Sequence, residues 1–263
     1  MSNQVPIVGA PAAADTPAMR RAWFLVLWCD WLALLALAMV LGNSAGGHGS
    51  QAAVAARMGS SIALVVAGWR AYACWQNSAA GWFVTCVAVG MTLGAIGDFF
   101  NAGLLDFVPL PDPVLGGIAA FGLGHIAYIL GCRDLAKRAG LTNRQKMLLA
   151  IIAWQVVGLV GWYLVAMQGT EARGLVWPAL PYSLLLAGTA GVTSGLALQD
   201  RRFVPLALGG ALFLASDLIL ACGMFRGGFA HQTEAVWLTY GPGQMLIVFS
   251  ALSAMLVLNG QKH

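Results

Sequence analysis

Residues 209–223 read GGALFLASDLILACG, and residues 91–103 read MTLGAIGDFFNAG. Each stretch is largely apolar and carries one ionisable carboxyl, Asp217 in the first and Asp98 in the second. A carboxyl at the centre of a bilayer costs at least about 2.5–3.5 kcal/mol, so it is found facing a protein interior, where it marks function or a hydrogen-bonded helix contact. Two such residues, joined by His125, Tyr128, Tyr240 and Gln244 in other apolar stretches, predict a polar core inside a membrane protein.

Composition agrees. Of 263 residues, 59% are hydrophobic and 9% charged, with a mean hydropathy of +0.77. Soluble domains carry about 25% charged residues, so that class is excluded. A spanning helix needs about 20 apolar residues. Eight segments qualify: Trp23–Leu41, Val54–Tyr72, Trp82–Leu105, Val114–Cys132, Met147–Met167, Leu175–Leu198, Phe203–Cys222 and Ala235–Leu258. The expected fold class is therefore all-α, a polytopic transmembrane bundle of eight helices over residues 22–259. Residues 1–21, rich in Ala and Pro, are expected to be a disordered tail. No loop is long enough for a second domain. The first span is long enough to stay in the membrane, although Asn43-Ser44-Ala45 has the small-residue pattern of a cleavage site. The five cysteines (Cys29, Cys74, Cys86, Cys132, Cys222) are an odd set without metal-type pairing and read as reduced packing residues.

Charge orients the bundle. With the N-terminus, alternate loops and the C-terminus on one side, that side holds eleven of the fourteen Lys and Arg, including the run from Arg133 to Lys146. The other side holds Arg57, Arg173 and Arg226. The positive-inside rule then puts both termini in the cytoplasm of a multi-pass protein, with a bacterial inner membrane as its expected location. The basic run reads as a topology signal, with contact to anionic headgroups as the other reading. A nucleic-acid partner is not expected, and the oligomeric state is open.

In that orientation helices 3 and 7 bring Asp98 and Asp217 to a similar depth. Helix 4 contributes His125 and Tyr128, and helix 8 contributes Tyr240 and Gln244. Asp98 and Asn101 are three apart, as are His125 and Tyr128, while Tyr240 and Gln244 are four apart, so each pair shares a helix face. Gly90 and Gly94 lie on roughly the Asp98 face and predict close helix contact. Gly241-Pro242-Gly243 interrupts helix 8 and predicts a freed backbone carbonyl or a kink there. Asp30 in helix 1 reads as structural, paired with Arg70 of helix 2. Asp106 and Asp112 read as solvated loop residues.

The strings GDFFNAG (97–103), AAFGLGHIAYILG (119–131), GGALFLASDLILACGMF (209–225) and TYGPGQMLIVFSAL (239–252) resemble the YhhN or lysoplasmalogenase family of eight-helix membrane proteins. The matching positions are Gly97-Asp98, Phe121 with His125 and Tyr128, Ser216-Asp217, and Tyr240 with Gln244. Tyr182, after Pro181, also resembles a family position. The likeness covers helices 3 to 8 in order. It is thinner in helices 1 and 2, where a basic-Pro step is represented only by Arg57-Met58.

The resemblance implies hydrolysis of the vinyl ether bond of lysoplasmalogens to a fatty aldehyde and glycerophosphoethanolamine or glycerophosphocholine, with no cofactor. The residues suit such a reaction. It begins with a proton delivered to the β-carbon, which leaves an oxocarbenium ion that water captures. Two carboxyl groups in a low-dielectric site can divide that work, one held protonated and the other ionised. Asp98 and Asp217 are the expected acid and base, in either order, and His125 is expected to orient a carboxyl or the water. Asn101, Tyr128, Tyr182, Tyr240 and Gln244 are expected to meet the substrate, a lysophospholipid entering from the bilayer. One of the three outer arginines is a candidate for its phosphate, although a loop arginine is ordinarily solvated.

The rivals are distinct. A zinc hydrolase would need three protein ligands, and of His48, His125, His231 and His263 only His125 lies well within a span, so no metal is expected. A proton-coupled transporter would also bury carboxylates and break a helix. A non-catalytic lipid-binding protein is the third alternative.

Overall fold

The computed structural model describes residues 17–44 and 47–260. Over these residues the chain is all-helical, with α1 Pro17–Gly42, α2 Gln51–Trp75, α3 Gly81–Asn101, α4 Pro113–Arg138, α5 Arg144–Trp162, α6 Val176–Ala197, α7 Val204–Arg226 and α8 Gln232–Gly260. All eight are long and apolar enough to cross a membrane, which makes this a multi-pass membrane protein. Most of the residues expected in the N-terminal tail, along with Ala45, Lys262 and His263, lie outside the described residues. Within the tail as expected from sequence, α1 already begins at Pro17.

Local sequence sets several boundaries. Ser50 Oγ accepts from Ala53 N at 3.3 Å to start α2. Asp112 Oδ1 accepts from Val114 N at 2.9 Å, and Pro113 follows it in the first turn of α4. Asn143 Oδ1 accepts from Lys146 N at 3.0 Å at the start of α5. Each side chain satisfies a backbone donor that has no partner within the helix. Asp112 is thus a cap and not merely a solvated loop carboxylate. All five cysteines are free.

The centre of the bundle is α3, 61% of whose span is buried, whereas α5 (17%) and α1 (28%) lie at the periphery. Glycine makes that centre possible. A methyl group at Gly124 would stand 2.9 Å from the Gly90 carbonyl, and one at Gly94 would stand 2.7 Å from Gln244 Nε2. Gly90 and Gly97 leave room for the rings of Tyr128 and Phe121. The glycine face anticipated from sequence is therefore where α3 receives α4 and α8.

Two expectations are corrected. The first is the interruption of α8: the helix continues through Gly241-Pro242-Gly243, although Pro242, lacking an N–H, still frees a backbone carbonyl one turn earlier. Those glycines serve packing: a methyl at Gly241 would meet Leu35 at 3.0 Å, and one at Gly243 would meet the Gly209 carbonyl at 3.1 Å. The second is Asp30, which is exposed on the outer face of α1 and forms no pair with Arg70.

Candidate active site

Asp98 lies one turn before the end of α3 and is 4% exposed. Its Oδ2 accepts two hydroxyl donors, Ser61 Oγ of α2 at 2.5 Å and Tyr240 Oη of α8 at 2.9 Å. Tyr240 Oη accepts from Gln244 Nε2 at 3.3 Å, and Gln244 Oε1 accepts from Tyr128 Oη at 2.9 Å. Each donor in this relay points toward Asp98. Its carboxyl is the terminal acceptor of a network drawn from α2, α3, α4 and α8. Tyr128 and Gln244, expected to meet substrate, stand behind Tyr240 and fix its hydroxyl.

Asp217, on α7, accepts from Tyr182 Oη of α6 at Oδ2 and from the adjacent Ser216 Oγ at 3.4 Å. Its surroundings differ from those of Asp98. Both carboxyls line one cavity of about 200 Å³, together with Arg57, Asn101, Trp237 and Tyr240. Two apolar cavities of about 60 and 50 Å³ extend from it, one walled by Val114, Ile118 and Leu220, the other by Trp162, Val165 and Leu218. Of all the lining residues, only Asp217 belongs to all three cavities. It stands where a polar chamber gives way to apolar grooves.

His125 is elsewhere. Its Nδ1 is 2.9 Å from Thr189 Oγ1, and its ring packs edge-on against Phe213 at 4.3 Å. It is fully buried, touches neither carboxyl and does not line the three cavities. Of the two roles expected for His125, orienting a carboxyl or orienting the water, the first has no hydrogen bond to support it. The two outer histidines meet at Glu234: His48 Nε2 is 3.0 Å and His231 Nδ1 3.1 Å from its Oε1. Among the described residues no three His, Cys, Asp or Glu side chains are arranged to hold a metal ion.

A family model for the YhhN family matches residues 52–251. The chain belongs to the YhhN family. That match includes every residue of the polar chamber. No solved structure matches the chain.

One residue of this YhhN-family site, Ser61, escaped the sequence reading, and a second, Arg57, was named there as one of three candidate partners for a phosphate. Ser61 donates to Asp98, and Arg57, one turn earlier on α2, lines the same cavity. Their i, i+4 spacing puts them on one helix face, which is a signal present in the sequence. Which neighbour that face meets is not. Arg57 is also no loop residue: it sits in the second turn of α2 and is 7% exposed.

Proposed function

We propose that the protein is a hydrolase that cleaves the vinyl ether bond of a lysoplasmalogen, releasing a fatty aldehyde and a glycerophospho-base. The observation that carries this reading is the position of Asp217 between a polar chamber and two apolar grooves. A single-chain lipid has the same polarity profile, and its ether bond lies at the boundary. The grooves hold only the first carbons of the chain, and the remainder lies between helices in the bilayer.

The same placement divides the roles. The β-carbon of the vinyl ether belongs to the chain side, which is the side Asp217 faces. Asp217 protonates that carbon, and the double-bond electrons close onto it while the ether oxygen stabilises the neighbouring cation. Asp98, in the polar chamber, takes a proton from water as the water oxygen bonds to the oxocarbenium carbon. The hemiacetal bond to the glycerol oxygen then breaks as Asp98 passes its proton to that oxygen and the hemiacetal hydroxyl gives its own proton to Asp217, leaving aldehyde, alcohol and both carboxyls in their starting states. Consumption of one water and return of the proton balance the reaction. Ser61 and Tyr240 hold the carboxylate in place, and preorganised donors of this kind supply much of an enzyme's rate. With both termini cytoplasmic, as the loop charges indicate, the chamber opens toward the opposite face.

Purified protein incubated with lysoplasmenylcholine in detergent is expected to release fatty aldehyde. In deuterated water, one deuterium is expected at C2 of that aldehyde, because the transferred proton ends there. Aldehyde without C2 deuterium would exclude protonation of carbon, and absence of aldehyde would exclude the reaction. Ser61→Ala removes one of two donors to Asp98 Oδ2, a charge-assisted bond that contributes about 1.5–3 kcal/mol, so turnover is expected to fall by about tenfold or more. Unchanged turnover in that variant would remove Asp98 from the mechanism as drawn. The unbroken α8 takes away one of the features that favoured a transporter.

A further inference from the structure

Arg57 is the cationic side chain on the wall of the chamber that holds both aspartates. Its Nη2 donates to the His48 carbonyl at 2.6 Å, and its Nη1 lies 3.5 Å from His48 Nδ1. The guanidinium stands 5.9 Å from the Trp237 ring centre. These contacts fix its plane but do not neutralise it, because among the described residues no carboxylate forms an ion pair with it. The acidic group nearest along this network is Glu234, one residue removed through His48. A buried cation left without a counter-anion is costly, and guanidinium matches the oxygens of a phosphate in a forked geometry that ammonium lacks. The other outer arginines are differently used. Arg173 donates to the carbonyls of Met167 and Gly169, and Arg226 to that of Leu164, where they tie the end of α5 to its neighbours. Neither lines the chamber.

The chamber is therefore ordered by charge. Asp217 is shared with the two apolar cavities, Asp98 is held by α3, and Arg57 on α2 lines the chamber together with Gln232 and Thr233 of the first turn of α8. We infer that Arg57, with Gln232 and Thr233, forms a subsite for the phosphodiester of a single-chain lipid, and that this subsite selects phosphorylated lipids over neutral glycerol ethers. The inference rests on the reading of Asp217 as the reacting end of the chamber. A phosphate joined through a three-carbon glycerol to the ether oxygen supplies the anion that Arg57 lacks while the vinyl group stays at Asp217.

The test measures binding, so that it does not depend on turnover. The probes are a non-cleavable 1-O-alkyl-lysophosphocholine, the corresponding 1-O-alkylglycerol without phosphate, and inorganic phosphate alone, each titrated against the full-length protein in detergent. Wild type is expected to prefer the phosphorylated lipid by about 10- to 100-fold, the range of a charge-assisted contact. Arg57→Gln is expected to bind both lipids alike, Arg57→Lys to keep part of the preference, and Arg173→Gln to keep all of it. Binding of the alkylglycerol, which asks nothing of Arg57, reports that each variant is folded. Retention of the full preference by Arg57→Gln overturns the subsite. Arg57-dependent binding of inorganic phosphate as tight as that of the lysolipid overturns the lipid as its source. Should wild type release no aldehyde from lysoplasmenylcholine while the Arg57-dependent preference persists, the reaction falls and the subsite stands.

Discussion

Asp217→Asn is expected to lower aldehyde release by about 10³-fold, within the 10²–10⁴ range that a positioned general acid contributes. At 1.36 kcal/mol per factor of ten, that is about 4 kcal/mol of transition-state stabilisation. Asparagine is nearly isosteric, and its amide oxygen can still accept the Tyr182 hydroxyl. The cavities keep their shape, so the variant is expected to fold and bind lipid while lacking a proton to give to carbon. Asp98→Asn is expected to fall less, by about 10²-fold, because the loss of a fixed charge near the developing cation leaves the Tyr240 and Ser61 hydroxyls in place. Initial rates of aldehyde release, with melting temperatures measured beside them, check both. Undiminished turnover by folded Asp217→Asn would end the assignment of the acid.

The eight helices were legible because the membrane leaves little freedom. Backbone polar groups in hydrocarbon must be satisfied within the segment, so an apolar run of sufficient length becomes a helix. The two aspartates were legible for the related reason that nothing but a protein interior accommodates them. The i, i+4 pair Tyr240 and Gln244 was likewise readable, and the structure turns it into a relay toward Asp98. What the sequence withheld was which faces meet. His125 shares a face with Tyr128, yet its ring is turned toward Thr189 of α6 and Phe213 of α7. Ser61 carried no signal stronger than its spacing from Arg57, and Arg57 stood out only as one of three outer arginines, because the importance of both comes from α2 lying beside α3 and α8. Around Pro242 the interruption of the helix was overstated for a different reason. A proline removes one helical donor, and the glycines on either side suggested a break, but they are spent on close approach to Leu35 and Gly209.

The crossing of α7 over α8 leads to the second large effect, which concerns folding. A methyl group at Gly209 would stand 2.8 Å from the Gly243 carbonyl oxygen and 3.1 Å from the Ile247 nitrogen. Both are backbone atoms, so no rotamer change can clear them. Overpacking a well-filled interior costs about 1–3 kcal/mol, and with a rigid wall Gly209→Val belongs at the upper end or beyond it. A loss of about 3 kcal/mol lowers the melting temperature of a chain near this size by about 6–12 °C. The site should suffer too, because the same two helices carry Asp217 and Tyr240, and the Phe213 and Tyr240 rings meet across them at 5.2 Å. Parting them draws Tyr240 away from Asp98, so whatever Gly209→Val protein survives purification is expected to turn over more slowly than wild type. Gly174→Ala is the matched control, since nothing stands within 4 Å of the added methyl group. Its melting temperature is expected to equal that of wild type. If Gly209→Val melts with the control, α7 and α8 do not cross at these glycines, and the shared chamber between Asp217 and Tyr240 loses its structural basis.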